Sequence, residues 1–503
     1  MFDEYYDAKL NKKEHPELRH IKRIVRGVEG CKHIHIIGIC GTAMGTFALM
    51  LRDSGFMVTG SDISAWPPMG PLLKSSGIEI FEGWDASHIS GSVDLVVVGN
   101  ACAPDHVEVI AALENKKPLM SMPEIMGAYY VGEEKDALVV AGTHGKTTTS
   151  GLLAHMLTKL NLDPTYLIGG VMQTKESIVG TSHRVGAGKY VVFEGDEYDT
   201  SFFDARPKFL HYRPAYSIIT SVEWDHVDIY ENIEEYKTAF KHLIHLTKKG
   251  LVVSDTYPLL TELIKETPTN AEVIVYGMSN QASLKPVLKE IAPDGQHFDL
   301  DGESYVVPMY GTYNTLNATA VLGMLRQIGV DIKSEEVKNA LASFPGMKRR
   351  QEIVKETPDG ITIIDDFAHH PTAVRETVQG IRNRFPGRRI VALFEPRSNT
   401  SRRKLFEKTY PEALAIADLI GIKVPPYKPE MDAGKDLLDP EVVKRDIEKL
   451  GKKVFLSETA QELVDTMKDS FKSDDVIVVM SNGSFDGIHD ILARTVDKNV
   501  KIG

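Results

Sequence analysis

The sequence has few cysteines and no long hydrophobic run, and both absences exclude classes of protein. Its three cysteines, Cys31, Cys40 and Cys102, form no CxxC pair and cannot build a disulfide framework for a chain of 503 residues. Reduced thiols are the ordinary state of cysteines in the cytoplasm, where we expect this protein to be located. No apolar run approaches the roughly 20 residues that span a bilayer, and the polar N-terminus lacks the apolar core of a secretory signal. We therefore expect no membrane partner.

Blocks of like charge, internal repeats and low-complexity segments are also absent. The net charge of −12 is spread along the chain, which argues against nucleic acid as the principal partner but allows a local basic pocket for phosphates. The content of 42% hydrophobic and 25% charged residues is that of an ordinary globular protein. At roughly 100–200 residues per domain, the length predicts about three domains.

Apolar strand-like segments alternate with helical segments along the chain, which is typical of parallel βαβ units. A charged N-terminal extension, to which the sequence assigns no role, precedes the first series at HIHIIGICG, near residue 33. A second series starts at DALVVAG and a third after FPGMKRRQEIV. We therefore predict an α/β protein with three domains, over residues 1–135, 136–345 and 346–503.

The segment AGTHGKTTTS, residues 141–150, has the features of a phosphate-binding loop. Its glycines let backbone N–H groups converge on an anion, and the helix predicted to begin at Thr147 directs further N–H groups to the same point. Lys146 would reach the outer phosphates, and the Thr147 hydroxyl can bind Mg²⁺. Val140 stands where the longer GxxxxGK[ST] loop has a glycine, so the pattern predicts a shorter GTxGKTT loop. The alternative is a capped helix with a solvated lysine.

Carboxylates and a histidine follow two later strands. YVVFEGDEYD places Glu194, Asp196, Glu197 and Asp199 after a buried strand, and carboxylate oxygens are the ligands that Mg²⁺ prefers. His226 follows the strand YSIITSV, at the edge where open α/β sheets bind ligands. The alternatives are solvated loop acids and a surface histidine, since imidazole is an unusual ligand of Mg²⁺.

Six motifs occur in a fixed order along the chain: GTHGKTTTS, EGDEYD, DHVDIY, YNTLNATA, KRRQE and DDFAHHPTAV. Together they resemble the ATP-dependent Mur ligases of peptidoglycan assembly, over nearly the whole chain. The resemblance implies a Rossmann-like N-terminal domain that binds a UDP-sugar, a central P-loop ATPase domain, and a Rossmann-like C-terminal domain that binds ATP and an amine substrate. It also implies ATP and two Mg²⁺ ions as cofactors, UDP-N-acetylmuramate and a murein tripeptide as partners, and a monomer or homodimer.

Three variants indicate the branch of the family. GICGTAMGT, FEPRSNTSRR and MSNGSFDGIH resemble the ligases that join UDP-N-acetylmuramate to L-alanyl-γ-D-glutamyl-meso-diaminopimelate in peptidoglycan recycling. The resemblance implies that ATP phosphorylates the lactyl carboxylate and that the L-alanine amine attacks the resulting acyl phosphate, while the protein positions the reactants and neutralises charge. The alternative is the ligase that adds free L-alanine in de novo synthesis.

Two other hypotheses are weaker. A catalytically idle nucleotide-binding regulator would be expected to lack Lys146 or Glu194, and both are present. A folylpolyglutamate synthase has a similar central domain, but the glycine turn of the first domain argues against it.

The resemblance assigns residues to the reaction. It implies catalytic roles for Lys146, Glu194 and His226. His370 is a further catalytic candidate as a proton acceptor on its chemistry alone, and neither His369 nor His370 needs to be a general base. The resemblance also implies Mg²⁺ binding by Thr147, Glu194 and His226. The residues expected to contact ATP are Gly142, Thr143, His144, Gly145, Lys146, Thr147, Thr148, Asn314, Asn317, Arg349, Arg350 and Asp366. The residues expected to contact the other substrates are a glycine turn that resembles a uridine diphosphate site and residues near strand ends: Gly38, Gly41, Thr42, Gly45, Ser61, Asp62, Asn100, His369 and Arg397.

Several of these residues also have plain structural explanations. Asn314 and Asn317 could cap a helix N-terminus, and Asn100 could stabilise a turn. Arg349 and Arg350 could form a solvated basic hinge. The glycine turn lacks the GxGxxG spacing, so it does not by itself predict a dinucleotide site.

Two further expectations concern Lys241 and the second domain boundary. Several Mur ligases that add later residues carry a carbamoylated lysine fifteen residues after the metal-binding histidine, and Lys241 stands fifteen residues after His226. The muramate-using relatives generally lack this modification, so we expect an unmodified surface lysine. We also expect a hinge near residues 344–347 that closes the third domain, detectable by scattering with and without an ATP analogue.

Overall fold

A computed structural model of the chain describes residues 2–12, 23–24, 28–173, 182–227 and 229–498. The chain divides into two compact units. The first contains Met1–Trp224, Asn232–Lys285 and Asn317–Phe344. The second contains Asp225–Glu231, Pro286–Leu316 and Pro345–Gly503. Among the described residues, no helix has both the length and the apolar character needed to cross a membrane.

The first unit begins with helix α1 (Phe2–Asn11) and a five-stranded parallel sheet. The strands are β1 (His33–Ile37), β2 (Met57–Asp62), β3 (Glu79–Glu82), β4 (Leu95–Val98) and β5 (Leu119–Ser121). The helices are α2 (Thr42–Asp53), α3 (Met69–Ser75), α4 (Val107–Glu114) and α5 (Met122–Ile125), with a 3₁₀ turn at Ala86–His88 and a π-helical turn at Met126–Val131. The order β3-β2-β1-β4-β5 reverses direction between β1 and β4, which is where open α/β sheets bind ligands.

The same unit contains a seven-stranded sheet in the order β14-β13-β12-β6-β9-β7-β8, parallel except for β8. Its strands are β6 (Asp136–Ala141), β7 (Thr165–Leu167), β8 (His183–Arg184), β9 (Tyr190–Glu194), β12 (Pro214–Ile219), β13 (Gly250–Ser254) and β14 (Glu272–Tyr276). A separate antiparallel hairpin is formed by β10 (Asp199–Ser201) and β11 (Asp204–Pro207), before a 3₁₀ turn at Lys208–Tyr212. The helices of this region are α6 (Lys146–Lys159), α7 (Ile233–Leu246), α8 (Pro258–Glu266) and α10 (Glu335–Ala342), and the part of α9 (Thr312–Gln327) that begins at Asn317.

The second unit contains two sheets. The smaller is antiparallel: β15 (Val287–Ala292), β16 (Gly295–Leu300) and β17 (Glu303–Val307). The larger has the order β18-β19-β23-β20-β21-β22, with β18 antiparallel to β19 and the other pairs parallel. Its strands are β18 (Glu352–Glu356), β19 (Thr362–Asp366), β20 (Ile390–Phe394), β21 (Leu419–Lys423), β22 (Lys453–Ser457) and β23 (Val476–Met480). Its helices are α11 (Pro371–Arg384), α12 (Tyr410–Leu414), α13 (Pro429–Asp432), α14 (Pro440–Lys449), α15 (Ala460–Met467) and α16 (Ile488–Lys498).

The four central strands of the six-stranded sheet, β19, β20, β21 and β23, are buried on both faces, as their largely apolar sequences predict. Along β20, Ile390, Ala392 and Phe394 belong to one hydrophobic cluster, whereas Val391 and Leu393 belong to another. Helices therefore cover both faces, and the predicted α/β class is confirmed.

Candidate active site

The predicted phosphate loop joins β6 to α6, and two of its glycines have left-handed backbone conformations. Gly142 has φ 132° and Gly145 has φ 81°. A Cβ atom on Gly142 would lie 2.3 Å from Thr220 Oγ1 and 2.8 Å from the backbone nitrogen of Ser221, and one on Gly145 would lie 2.7 Å from Asn317 Oδ1. Only glycine fits both positions without strain. The helix begins at Lys146, one residue earlier than predicted.

Residues after β12 hold the loop from one side. The backbone N–H of His144 donates to Ser221 Oγ at 2.8 Å, and Thr220 Oγ1 donates to the His144 carbonyl at 2.5 Å. Thr143 Oγ1 donates to the Glu223 carbonyl at 2.9 Å, and His144 Nε2 lies 2.7 Å from a carboxylate oxygen of Glu223. These hydrogen bonds hold the backbone of the loop in place.

The ammonium of Lys146 is held over the loop by an acid. Its Nζ lies 3.0 Å from Glu197 Oε1 and 2.5 Å from the Gly142 carbonyl oxygen. Burial by itself lowers the pKa of Lys146, but Glu197, Glu194 and Asp196 raise it above the usual value. Lys146 is therefore a buried cation at neutral pH, as neutralisation of phosphate charge requires.

Thr147 and Glu194, two of the three predicted metal ligands, are hydrogen-bonded to each other within this unit. Thr147 Oγ1 donates to Glu194 Oε1 at 2.9 Å, and the other carboxylate oxygen accepts from the Gly169 backbone N–H at 2.8 Å and from Ser150 Oγ at 3.4 Å. A hydroxyl beside a carboxylate is a donor set of hard oxygens, so the residues fit Mg²⁺.

The other two acids of the cluster are paired elsewhere. Asp196 pairs with Lys208 at 2.5 Å; burial raises the pKa of Asp196, but Lys208 outweighs this and brings it to about 2. Asp199 lies 3.1 Å from Lys9. Of the four carboxylates, the structure therefore brings Glu194 and Glu197 to the phosphate loop.

In the second unit, three histidines influence the charge of one buried carboxylate, Asp225. The backbone N–H of His226 donates to Asp225 Oδ1 at 2.7 Å, and its φ is 53°. Burial raises the pKa of Asp225, but His226, His369 and His370 together hold it well below its usual range. The structure thus groups His226 with both histidines of the DDFAHHPTAV motif.

The hydrogen bonds of His369 and His370 differ in a way that bears on proton transfer. His370 precedes α11 as its N-cap, and its Nδ1 accepts from the Thr372 N–H at 3.3 Å. A neutral His370 therefore carries its proton on Nε2. His369 Nδ1 lies 3.0 Å from the Phe367 carbonyl oxygen and must donate to it, which leaves Nε2 as the basic nitrogen. Burial lowers the pKa of His369, so this imidazole is neutral at pH 7.

The KRRQE segment is fastened to the six-stranded sheet. Arg349 donates through Nη2 to the carbonyls of Ser481 and Gly483, at 2.7 and 2.8 Å, and its Nε lies 3.2 Å from Asp365. The Arg350 guanidinium lies 4.9 Å from the centroid of the Phe367 ring. Neither arginine is a freely solvated hinge residue.

Asp366 ends β19 and shapes the turn that follows. It accepts backbone N–H bonds from Gln351 at 2.8 Å and Ala368 at 2.9 Å. Burial raises the pKa of Asp366, although Arg350 opposes the shift. Its visible role is to position this turn, and the predicted ATP contact remains a prediction.

The two asparagines are not N-caps, since α9 begins at Thr312 and both lie inside it. Asn314 Nδ2 donates to the Tyr310 carbonyl at 2.9 Å. Asn317 Oδ1 lies beside Gly145, as the close approach to its missing Cβ shows. The capping alternative is therefore wrong, and Asn317 belongs to the phosphate loop of the first unit.

The glycine turn after β1 is anchored on the end of β2. The Ser61 carbonyl accepts from the Gly38 N–H at 2.8 Å, and Asp62 Oδ2 accepts from the Cys40 N–H at 2.8 Å. The Ser61 hydroxyl donates to Glu108 Oε2 at 2.5 Å, and both side chains are fully buried. Ser61 thus anchors the turn through its backbone carbonyl while its side chain is buried against Glu108. Asp62 contacts the turn through its carboxylate.

The remaining substrate candidates lie at strand ends or at the start of α2. Gly41 is the N-cap of α2, Thr42 is its first residue, and a Cβ on Gly45 would lie 2.5 Å from Met69 Cε. Asn100 is exposed two residues after β4. Arg397 is exposed and lies over Gly483, where a Cβ would be 2.2 Å from Nη1.

Lys241 lies on α7 and forms an ion pair with Glu266. Its Nζ is 2.9 Å from Glu266 Oε2, and its side chain is 33% exposed. A positively charged amine favours this ion pair. The absence of carbamoylation remains a prediction.

Sequence reasoning missed the polar residues that wall the loop. Thr220, Ser221 and Glu223 bind its backbone or side chains, and Tyr236 lies 3.0 Å from the Thr143 hydroxyl. The sequence contained only a weak indication of these residues. Thr220 and Ser221 directly follow the last residue of β12, at the edge of the sheet where ligands bind.

Three family models match the chain. They are described as the Mur ligase family catalytic domain over residues 33–130, the Mur ligase middle domain over 140–325, and the Mur ligase glutamate ligase domain over 349–483. These matches correspond to the three-domain Mur ligase architecture.

Individual relatives match over almost their whole length. The UDP-N-acetylmuramate–L-alanyl-gamma-D-glutamyl-meso-2,6-diaminoheptandioate ligase of Escherichia coli K12 is 34% identical over 478 residues, 93% of this chain and 99% of that protein. The solved murein peptide ligase of Psychrobacter arcticus has a TM-score of 0.66 at 30% identity, over 94% of this chain and 100% of that one. The UDP-N-acetylmuramate–alanine ligase of Thermotoga maritima has a TM-score of 0.73 at 26% identity, over 93% and 98%. The chain therefore belongs to the Mur ligase family.

Proposed function

We propose that the chain is an ATP-dependent, ADP-forming ligase. It joins the lactyl carboxylate of UDP-N-acetylmuramate to the L-alanine amine of the tripeptide L-alanyl-γ-D-glutamyl-meso-diaminopimelate. The observation that carries the proposal is the phosphate loop, where Lys146 is held by Glu197 beside the Thr147–Glu194 pair. The choice of substrates is supported by the E. coli relative, whose name contains both of them.

In the first step, an oxygen of the lactyl carboxylate forms a bond to the γ-phosphorus of ATP, and the bond from that phosphorus to ADP breaks. The protein contributes positioning and charge neutralisation. The loop amides and the N-terminus of α6 donate to phosphate oxygens, and Lys146 supplies a full positive charge. Unit 1 thus holds the charges that phosphoryl transfer needs.

Mur ligases use ATP with Mg²⁺, and this chain offers oxygen ligands for the metal. Thr147 and Glu194 would hold one ion, and His226 is proposed as a ligand of a second. When bound, Mg²⁺ neutralises charge on phosphate oxygens. The count of two ions is part of the proposal, and metal analysis of the ATP-analogue complex measures it.

In the second step, the amine of the tripeptide attacks the acyl phosphate, the C–N bond forms, and inorganic phosphate leaves from the tetrahedral intermediate. The amine must lose a proton. We propose His369 rather than His370 as the acceptor, because His369 Nδ1 donates to the Phe367 carbonyl and leaves Nε2 basic. His370 has its Nδ1 occupied by the helix cap.

The proposal includes three domains over residues 1–135, 136–345 and 346–503, a cytoplasmic location where ATP is abundant, and a monomer or homodimer. Truncation at residues 135 and 345 followed by urea unfolding tests the boundaries. Sedimentation velocity distinguishes monomer from dimer.

An acceptor competition assay tests the function. The full chain is given UDP-N-acetylmuramate, ATP and Mg²⁺, with the tripeptide and free L-alanine at equal concentration, and the products are separated by mass. We expect the muramoyl tripeptide to dominate. Lys146→Met serves as the control for contaminating activity.

The alternative is the ligase that adds L-alanine. It is favoured by the Thermotoga maritima structure, whose TM-score of 0.73 exceeds that of the Psychrobacter arcticus structure. Predominant formation of UDP-N-acetylmuramoyl-L-alanine would select this alternative. Binding of ATP without turnover of either acceptor would overturn both and favour the idle regulator.

A further inference from the structure

The hairpin β10–β11 links the two sheets of the first unit. Its base, Asp199, lies two residues after Glu197, which holds Lys146 at the phosphate loop. Its tip, Phe202 and Phe203, is buried in the hydrophobic cluster of the five-stranded sheet. A displacement of the hairpin would therefore change the position of the phosphate loop relative to the sheet that carries the glycine turn.

Helix α1 of the N-terminal extension holds the base of this hairpin. Tyr6, Lys9 and Leu10 lie on one face of the helix and are only 4%, 9% and 5% exposed. Lys9 Nζ lies 3.1 Å from Asp199 Oδ1, and the two side chains are 10% and 6% exposed. A buried ion pair of this kind is strongly coupled to its surroundings, since removal of one partner leaves an unpaired charge.

Arg23 holds the tip of the hairpin. Arg23 makes two bonds to the Glu124 carboxylate, at 2.6 and 3.1 Å, and a third to the Leu119 carbonyl at 3.1 Å. Its guanidinium carbon lies 4.1 Å from the centroid of the Phe203 ring. The backbone N–H of Leu119 donates to the Ile24 carbonyl at 3.1 Å, so Ile24 also contacts the edge strand β5. Bidentate and cation–π contacts fix the guanidinium in direction as well as in place.

We propose that Lys9 and Arg23, together called the clamp, are positioning residues for the ligase reaction. They hold the hairpin at its base and tip, and so fix the phosphate loop relative to the sheet with the glycine turn. Both residues precede residue 33, where the match to the family model begins. The inference rests on the proposed function for its kinetic consequence, but the contacts stand independently of it.

Kinetics of the full chain provide the first test. The double variant Lys9→Met/Arg23→Met is compared with Lys12→Met, a control on the same extension whose side chain is 60% exposed and 3.9 Å from Glu235. Because small misplacements of reactants are costly, we expect the double variant to lose about ten- to a hundredfold in kcat/KM for UDP-N-acetylmuramate. The dissociation constant of ATP in the double variant should stay within about twofold of that of the unmodified protein. The hydrogen bonds of the phosphate loop are made by residues after β12, not by the clamp.

Lys9→Arg/Arg23→Lys keeps both charges and should recover part of the loss, which a purely steric role would not predict. Unchanged kinetics in the double variant, at a temperature where it is folded, would overturn the proposal. A loss of the same size in Lys12→Met would also overturn it.

Hydrogen exchange of residues 199–207 provides a second test without substrates. We expect these amides to exchange faster in the double variant than in Lys12→Met, because the hairpin loses both anchors. Equal exchange would refute the clamp. If the unmodified protein ligates neither acceptor, the proposed function is wrong. The exchange measurement would still show whether Lys9 and Arg23 hold the hairpin.

Discussion

The ion pair between Lys146 and Glu197 allows the structural and catalytic roles of the lysine to be separated. Nζ and Oε1 are 3.0 Å apart, the Glu197 side chain is completely buried, and that of Lys146 is 16% exposed. Lys146→Met leaves a buried carboxylate without its cation, which typically costs about 3–5 kcal/mol of the free energy of unfolding. The Tyr236 hydroxyl lies 3.3 Å from Glu197 Oε1 and continues to donate to it in the variant. We therefore expect the free energy of unfolding to fall by about 3 kcal/mol, at the lower end of this range.

The double variant Lys146→Met/Glu197→Gln removes both charges and nearly preserves the shape of the acid. Because no buried charge remains unpaired, we expect it to recover most of the lost stability, to within about 1.5 kcal/mol of the unmodified protein. Activity should not recover, since Met supplies no charge to the phosphates; we expect both variants to lose at least about 100- to 1,000-fold in kcat. Urea unfolding followed by tyrosine and tryptophan fluorescence measures the first quantity, and ADP release with both substrates measures the second.

Two results would refute this reasoning. Turnover of Lys146→Met within about tenfold of the unmodified protein would remove Lys146 from the phosphate site. Equal stability of the single and double variants would show that the pair is not the source of the instability. Glu197→Gln alone, which keeps the lysine, serves as the matched control.

Three further changes test other parts of the first unit. Gly142→Ala should weaken ATP binding in calorimetry by about tenfold or more, because φ is 132° and the new Cβ would lie 2.3 Å from Thr220 Oγ1. Glu194→Gln keeps the shape that accepts from Thr147 but removes the charge, so ADP release should require about tenfold or more Mg²⁺. Burial lowers the pKa of His155 on α6 to about 4. A depressed histidine pKa adds stability that is complete above the unfolded pKa of about 6.5 and is lost as pH falls through about 4, so His155→Gln should abolish about 2 kcal/mol of the stability difference between pH 7 and pH 5 in urea unfolding.

The phosphate loop could be predicted because its signal is local. A buried strand, two glycines, Lys146 and Thr147 lie within one short segment, and each role depends on its neighbours in sequence. The α/β class could be predicted for the same reason, since alternation of apolar strands and helices is visible without knowledge of their pairing.

Contacts between distant segments were harder to predict. Glu194 and Glu197 belong to one acid cluster with Asp196 and Asp199, and nothing in the spacing indicates which two would face the loop. The answer depends on where Lys208 and Lys9 fall in the fold.

The histidines show a second limit. His369 and His370 are adjacent and carry the same imidazole, and the sequence offers His370 as a candidate proton acceptor on its chemistry alone. Their hydrogen bonds, to the Phe367 carbonyl and from the Thr372 N–H, make the opposite choice better supported. Such bonds depend on how the turn enters α11, which spacing does not specify.

The position of the loop residues follows from strand register in the seven-stranded sheet. Val140 on β6 pairs with Glu194 on β9, and Ala141 pairs with Ile219 on β12, so acid and hydroxyl side chains emerge on either side of the loop. Because side chains alternate between the faces of a strand, a shift of one residue in β9 would turn Glu194 away from Thr147. The pairing that sets this register is made by apolar residues, Leu138 with Val192 and Val139 with Phe193, all of them buried. The hydrophobic pattern of β9 therefore helps to form the proposed metal site, even though none of its apolar side chains would contact the metal.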